Sequence, residues 1–132
     1  VTTGLSVYLA DSWLDMLAAT AFTAPAASYV LPHTGDPGAS GTSNTIASVP
    51  RVAVTWAAAA TGAKIASNSP TWSSWSFASP STITHMSFWD ASTSGHFLFS
   101  APVTAAGGSN VVATGNNLVL SPISILFAPI AA

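Results

Sequence analysis

Apolar side chains recur with a helical spacing only at the start of the chain. Leu5, Tyr8, Leu9, Trp13, Met16 and Leu17 stand three and four residues apart and line one face of a helix predicted over residues 3–19. Thr2 or Thr3 is placed to cap its start, and Asp11 and Asp15 fall toward the other side. Two like charges four residues apart cost roughly a few tenths of a kcal/mol. Each buried aromatic or aliphatic side chain returns roughly 1.5–3 kcal/mol. The helix is therefore expected to form by docking on a sheet, with that apolar face inward.

Beyond residue 25 the period shortens to two. A short strand is predicted over residues 28–32. The next covers 51–56, with Val52, Val54 and Trp56 on one face and Arg51, Ala53 and Thr55 on the other. Weaker strands follow at 64–67 and 72–77; in the latter Trp72 and Trp75 fall on opposite faces, which needs a bulge or cover on both sides. Residues 82–101 read as a hairpin, two apolar runs around the turn-forming cluster 90–95. Ile83, His85, Ser87 and Trp89 share one of its faces, while Met86 and Phe88 share the other, as in a central strand pair covered on both sides. Short strands at 111–112, 118–120 and 123–127 complete the pattern.

The connections carry turn chemistry. Pro37 and Gly38 occupy the second and third positions of a type II turn, with Asp36 able to bond back to the backbone. His33, Asp36, Pro37, Gly38, His85 and Asp90 are accordingly assigned structural roles in turns and in the hairpin. Residues 38–48 form a polar loop long enough to be mobile or to be held by a partner. Ser40, Thr42 and Asn44 in that loop, with Phe127 and Ile130 in the apolar carboxy-terminal stretch, are the candidate assembly contacts. One helix followed by roughly seven or eight short strands predicts a mainly β chain. The expected fold is a β-sandwich, jelly-roll-like, with one short amino-terminal amphipathic helix. It is read as a single domain over residues 1–132, with the helix at about 3–19 and strands between about 28 and 128.

Composition changes the picture in one respect. Only 5% of the 132 residues are charged, against about 25% in ordinary globular domains. The full charges are Asp11, Asp15, Asp36, Asp90, Arg51 and Lys64, for a net charge of −2. No cluster of Lys and Arg is present to bind nucleic acid or an anionic membrane. Low charge also removes the repulsion that keeps monomers apart. Much of the surface is therefore expected to be covered by copies of the same chain, in a trimer or other cyclic oligomer, or by another protein. No apolar run reaches the length of a transmembrane helix, the first residues lack a signal-peptide pattern, and the absence of cysteine excludes disulfides and thiolate metal sites.

Chemistry is weakly indicated. His33 with Asp36 and His85 with Asp90 offer nitrogen and oxygen donors for zinc, but no spacing matches a zinc signature. No Gly-x-Ser-x-Gly elbow supports a serine hydrolase. Asp11 and Asp15 fit a solvated helix face better than a glycosidase pair, and Gly107-Gly108 lacks the lysine of a phosphate-binding loop. No catalytic, cofactor-binding or metal residue is assigned. The five tryptophans leave one reading of another class, a carbohydrate-binding module with Trp72 and Trp75 stacking on sugar rings.

Several stretches together carry a resemblance: Gly4-Leu5-Ser6-x-Tyr8-Leu9, the run 29–38 through His33-Thr34-Gly35-Asp36-Pro37-Gly38, Arg51-x-x-Val54-Thr55, the run 82–91 through His85 and Trp89-Asp90, and Leu98-Phe99-Ser100. The chain resembles a family of small virion proteins of tailed bacteriophages, often described as minor tail or tail-fibre-like proteins. The resemblance spans nearly the whole sequence, with 33–38 and 84–91 its most specific parts. It implies a non-enzymatic structural protein with a β-sandwich and a short helix, made in the host cytoplasm and carried on the phage particle. Its implied partners are other copies of itself and the major capsid or tail protein. The charge-poor, aromatic-rich composition in a compact length favours a capsid decoration or cement protein. A tail-fibre-like or baseplate accessory protein is the alternative. The chain departs from the family pattern in being poorer in charge and in its apolar end, 127–132, which suits docking into a neighbour.

Overall fold

The computed structural model describes residues 3–105 and 110–127. It is mainly β. Strand β1 (Gly4–Leu5) precedes helix α1 (Val7–Asp15), which runs into a 3-10 turn at Met16–Ala18. Then come β2 (Ser28–His33), β3 (Val52–Val54), β4 (Ala63–Ile65), β5 (Thr71–Trp72), β6 (Ser81–Thr82), β7 (His85–Trp89), β8 (Phe97–Pro102), β9 (Val111–Val112), β10 (Leu118–Val119) and β11 (Ser124–Leu126). A five-stranded antiparallel sheet in the order β1-β8-β7-β2-β3 is accompanied by three two-stranded ribbons, β10-β5, β11-β4 and β6-β9.

The expected hairpin is present as β7 and β8, with a register shift between Phe88 and Trp89. It is shorter than the predicted 82–101, because Ser81–Thr82 leaves to pair with β9 instead. β7 is the centre of the sheet and lies between β2 and β8. Cross-strand partners fix its two faces. Val30, Phe88 and Phe99 align on one face, and Phe88 and Phe99 stack with ring centroids 4.4 Å apart. This face carries the main core, in which Val30, Met86 and Phe88 meet Trp72, Ile83, Val112 and Ile123 from the ribbons and their connections. The other face carries Leu31, Ser87 and Trp89, also buried but outside that cluster. A central strand covered on both faces is what the alternating large residues require.

Three expectations are corrected. The helix does not begin at residue 3. Gly4 and Leu5 pair with Ser100 and Phe99, and Ser6 is the cap, its hydroxyl accepting the Leu9 amide at 3.1 Å. It ends at Asp15 with Ala19 in the left-handed region, where the Thr20 amide reaches the Asp15 carbonyl and the Ala19 amide that of Met16. Nor is its predicted face inward. Leu9 is buried and Trp13 is partly covered, but Leu5, Met16 and Leu17 are 47, 54 and 86% exposed. The predicted strand 72–77 reduces to Thr71–Trp72. Beyond it the chain turns at Ser74, and Asn117 Oδ1 accepts the Ser74 amide while the Asn116 carbonyl accepts that of Trp75. Both tryptophans thereby end in the core, covered on each side.

Candidate functional site

The polar loop after β2 is fastened to the sheet by its backbone. Asp36 Oδ1 accepts the Gly38 amide at 2.9 Å, and Gly38 takes φ +73°, as the type II turn demands. Pro37 is buried beneath it. Gly41 also has positive φ and lies so close to Phe97 that an added Cβ would overlap the ring. Ile46 enters the main core. Asn44 bonds the Asp36 carbonyl at 2.7 Å, and Ser40 and Thr42 bond each other at 2.8 Å. The side chains of Ser40, Thr42 and Asn44 are exposed on this fixed loop. Phe127 is half exposed and meets Trp13 edge-on at 5.3 Å, while Ile130 lies outside the described residues.

His33 is fully buried, and its neighbours settle its tautomer. Nδ1 lies 2.8 Å from the Ser43 carbonyl, which can only accept, so Nδ1 carries the proton. Nε2 then accepts from the Ser87 hydroxyl at 2.7 Å, and Ser87 Oγ accepts the Trp89 indole N–H at 2.8 Å. Burial pushes the His33 pKa below its ordinary value, the Ser43 bond works the other way, and His85 adds a smaller downward push. A serine hydrogen-bonded to a neutral histidine has the outline of a nucleophile and its base. Here both residues are 0% exposed, so no substrate reaches Ser87. The arrangement joins β2, β7 and the loop. His85, paired opposite His33 in the sheet, makes a local contact with Thr84 Oγ1 at 2.8 Å.

At the tip of the hairpin Asp90 is the organiser, reaching six residues along the chain to His96. Its Oδ1 accepts the His96 amide at 2.7 Å and its Oδ2 accepts His96 Nδ1–H at 2.8 Å. Burial raises the carboxyl pKa, but these His96 bonds outweigh it and hold the group below its usual value. Arg51 closes the loop from β3's side. It donates to the Ala91 and Ser94 carbonyls and lies 3.6 Å over the Trp89 ring. Tyr8 of α1 stacks on His96 at 4.0 Å, which ties the helix to the hairpin. The sequence marks Asp90 well, but it does not assign Arg51 or His96 their part in holding the tip. A lone arginine heading a strand and a histidine directly after Gly95 were the available signals.

One concave feature is almost wholly apolar. A groove of about 420 Å³ runs between α1 and the β4–β11 ribbon, lined by Leu5, Leu9, Trp13, Phe99, Ile125 and Phe127, with Lys64 on its wall. Ser100 also lines it, and its hydroxyl has no partner among the described residues. No three potential ligands among histidines and acids come together among the described residues. Asp90 turns to His96 and not to His85. Trp72 and Trp75, 3 and 0% exposed, present no ring face to a sugar. No helix among the described residues is long and apolar enough to cross a membrane.

A search of curated proteins finds no match for the chain. A family model described as podophage GP4 fiber I protein gp80 matches residues 4–125, from β1 into β11. With almost the whole described structure inside that match, the chain belongs to this family of phage fibre structural proteins.

Proposed function

We propose that this protein is a non-enzymatic component of a phage tail fibre or its attachment, assembling from identical copies in a cyclic oligomer and contacting a tail protein of the same particle. The observation that carries this reading is the family match over residues 4–125, which takes in the sheet, both polar networks and the hairpin. The disposition of reactive side chains supports it. His33 and Ser87 are sealed in the interior, and Asp90 and His96 are bound to each other. The fibre description also favours the tail over the capsid lattice, so the decoration role expected from composition becomes the weaker reading.

Imaging of the intact phage particle tests the assignment. Density that fits this chain should lie on the tail, in a copy number suited to an appendage. Density spread over the capsid lattice would overturn the tail-fibre role and restore decoration.

A further inference from the structure

We propose that the exposed ridge of helix α1 docks into the apolar groove of a second copy of this chain, with Asp11 and Asp15 on the ridge facing Lys64 on the groove wall. The inference rests on the reading that copies of the chain assemble, and it names the surfaces that do so.

The ridge follows from helical geometry. At about 100° per residue, Val7, Asp11, Leu14 and Asp15 fall within about 100° of arc. All four are exposed, and Val7 and Leu14 are 74 and 63% so. Leu9 and Trp13 lie on the opposite side of α1 and form one wall of the groove. Ridge and groove are thus separate surfaces, and each copy carries both. Contact between copies is head to tail and closes into a ring when the rotation per step divides a full turn. Leu5 and Phe127, which line the groove, are themselves 47 and 54% exposed, so its apolar surface is open to a partner.

Charge selects the occupant. Three of the six full charges are engaged elsewhere in the fold. Arg51 and Asp90 hold the hairpin tip, and Asp36 bonds the turn backbone. Lys64 bonds the Ala57 carbonyl at 3.0 Å and, among the described residues, pairs with no carboxylate. Asp11 and Asp15 likewise have no cationic partner there. Two carboxylates without a cation on the ridge and one ammonium without a carboxylate on the groove wall complement each other between copies. A partner unrelated to this chain would have to supply both charges independently.

Sedimentation equilibrium of the full chain over a wide concentration range tests the interface. The wild-type chain should associate. Leu14→Asp, the ridge reversal Asp11→Lys with Asp15→Lys, and the groove reversal Lys64→Asp should each raise the dissociation constant by about tenfold or more. Circular dichroism of the monomers should stay unchanged. Combining both charge reversals in one chain should restore association. A wild-type chain that stays monomeric at every concentration would overturn the proposal, whether its own carboxy-terminal residues or another virion protein fills the groove. So would an oligomer indifferent to all three variants, or reversals that fail to compensate. An indifferent oligomer would leave the assembly reading intact, whereas a chain monomeric at every concentration would remove that reading together with this interface.

Discussion

His33 has both ring nitrogens committed and none of its surface exposed, so its protonation is incompatible with the fold as it stands. Its pKa in the folded chain lies below the ordinary 6.5. The stability it contributes is therefore present in full above about 6.5 and is lost as pH falls toward the folded value. Scanning calorimetry should show the melting temperature falling through this window, and the slope should flatten in His33→Gln. Equal slopes in the two chains would remove His33 from the account. Asp90 behaves in the opposite chemical sense but with the same direction in pH. Its lowered pKa gives stability above the usual carboxylate range that disappears as pH falls through the lowered value. Asp90→Ala should cost about 1–2 kcal/mol in urea denaturation, and Asp90→Asn less, since the amide oxygen still accepts the His96 amide. Ser100 is the converse case. Its buried hydroxyl lacks a partner, so Ser100→Ala should leave stability unchanged or raise it by up to about 1 kcal/mol; a clear loss would reveal a bond to Oγ.

Among the elements, the central strands and the presence of the amino-terminal helix were legible, while the buried face of that helix and the end of the strand expected over 72–77 were not. β2, β7 and β8 announce themselves through alternation, because their two faces meet different surroundings within the same chain. The periodicity of α1 equally signals burial, but it does not say where the buried surface lies. Leu17, which belongs to the predicted inward stripe, is 86% exposed. The loop after β2 is a related case: its polar side chains leave it open whether it is mobile or held by a partner, while the anchors to the fold are the Ser43 carbonyl, the missing side chain of Gly41 and the one large apolar residue, Ile46. The end of the helix also broke its usual rule, since Ala19 adopts φ +58° where glycine is favoured. Ala19→Gly should therefore stabilise the chain by roughly 0.5–1 kcal/mol, read from the shift in denaturation midpoint. A destabilised variant would mean that Ala19's methyl packs against something of value.

At the scale of the molecule, scarcity of charge places stability almost wholly on apolar packing and hydrogen bonds. Among the described residues the one pairing of an acidic with a basic side chain is Asp90 with His96. Adding salt should accordingly change the melting temperature of the monomer very little; a steep dependence would point to charge interactions that the fold does not display. The short pairing of β1 has a mechanical consequence. That edge strand is held to β8 by two residue pairs, Gly4 with Ser100 and Leu5 with Phe99, and by the Ser6 amide on the Leu98 carbonyl. By contrast, β2 and β7 share a register of five pairs. Tension applied at Gly4 would peel β1 away first and draw α1 after it, while the three central strands stayed closed. In a fibre under load, the amino-terminal edge is then the fuse and the β2-β7-β8 sheet the anchor.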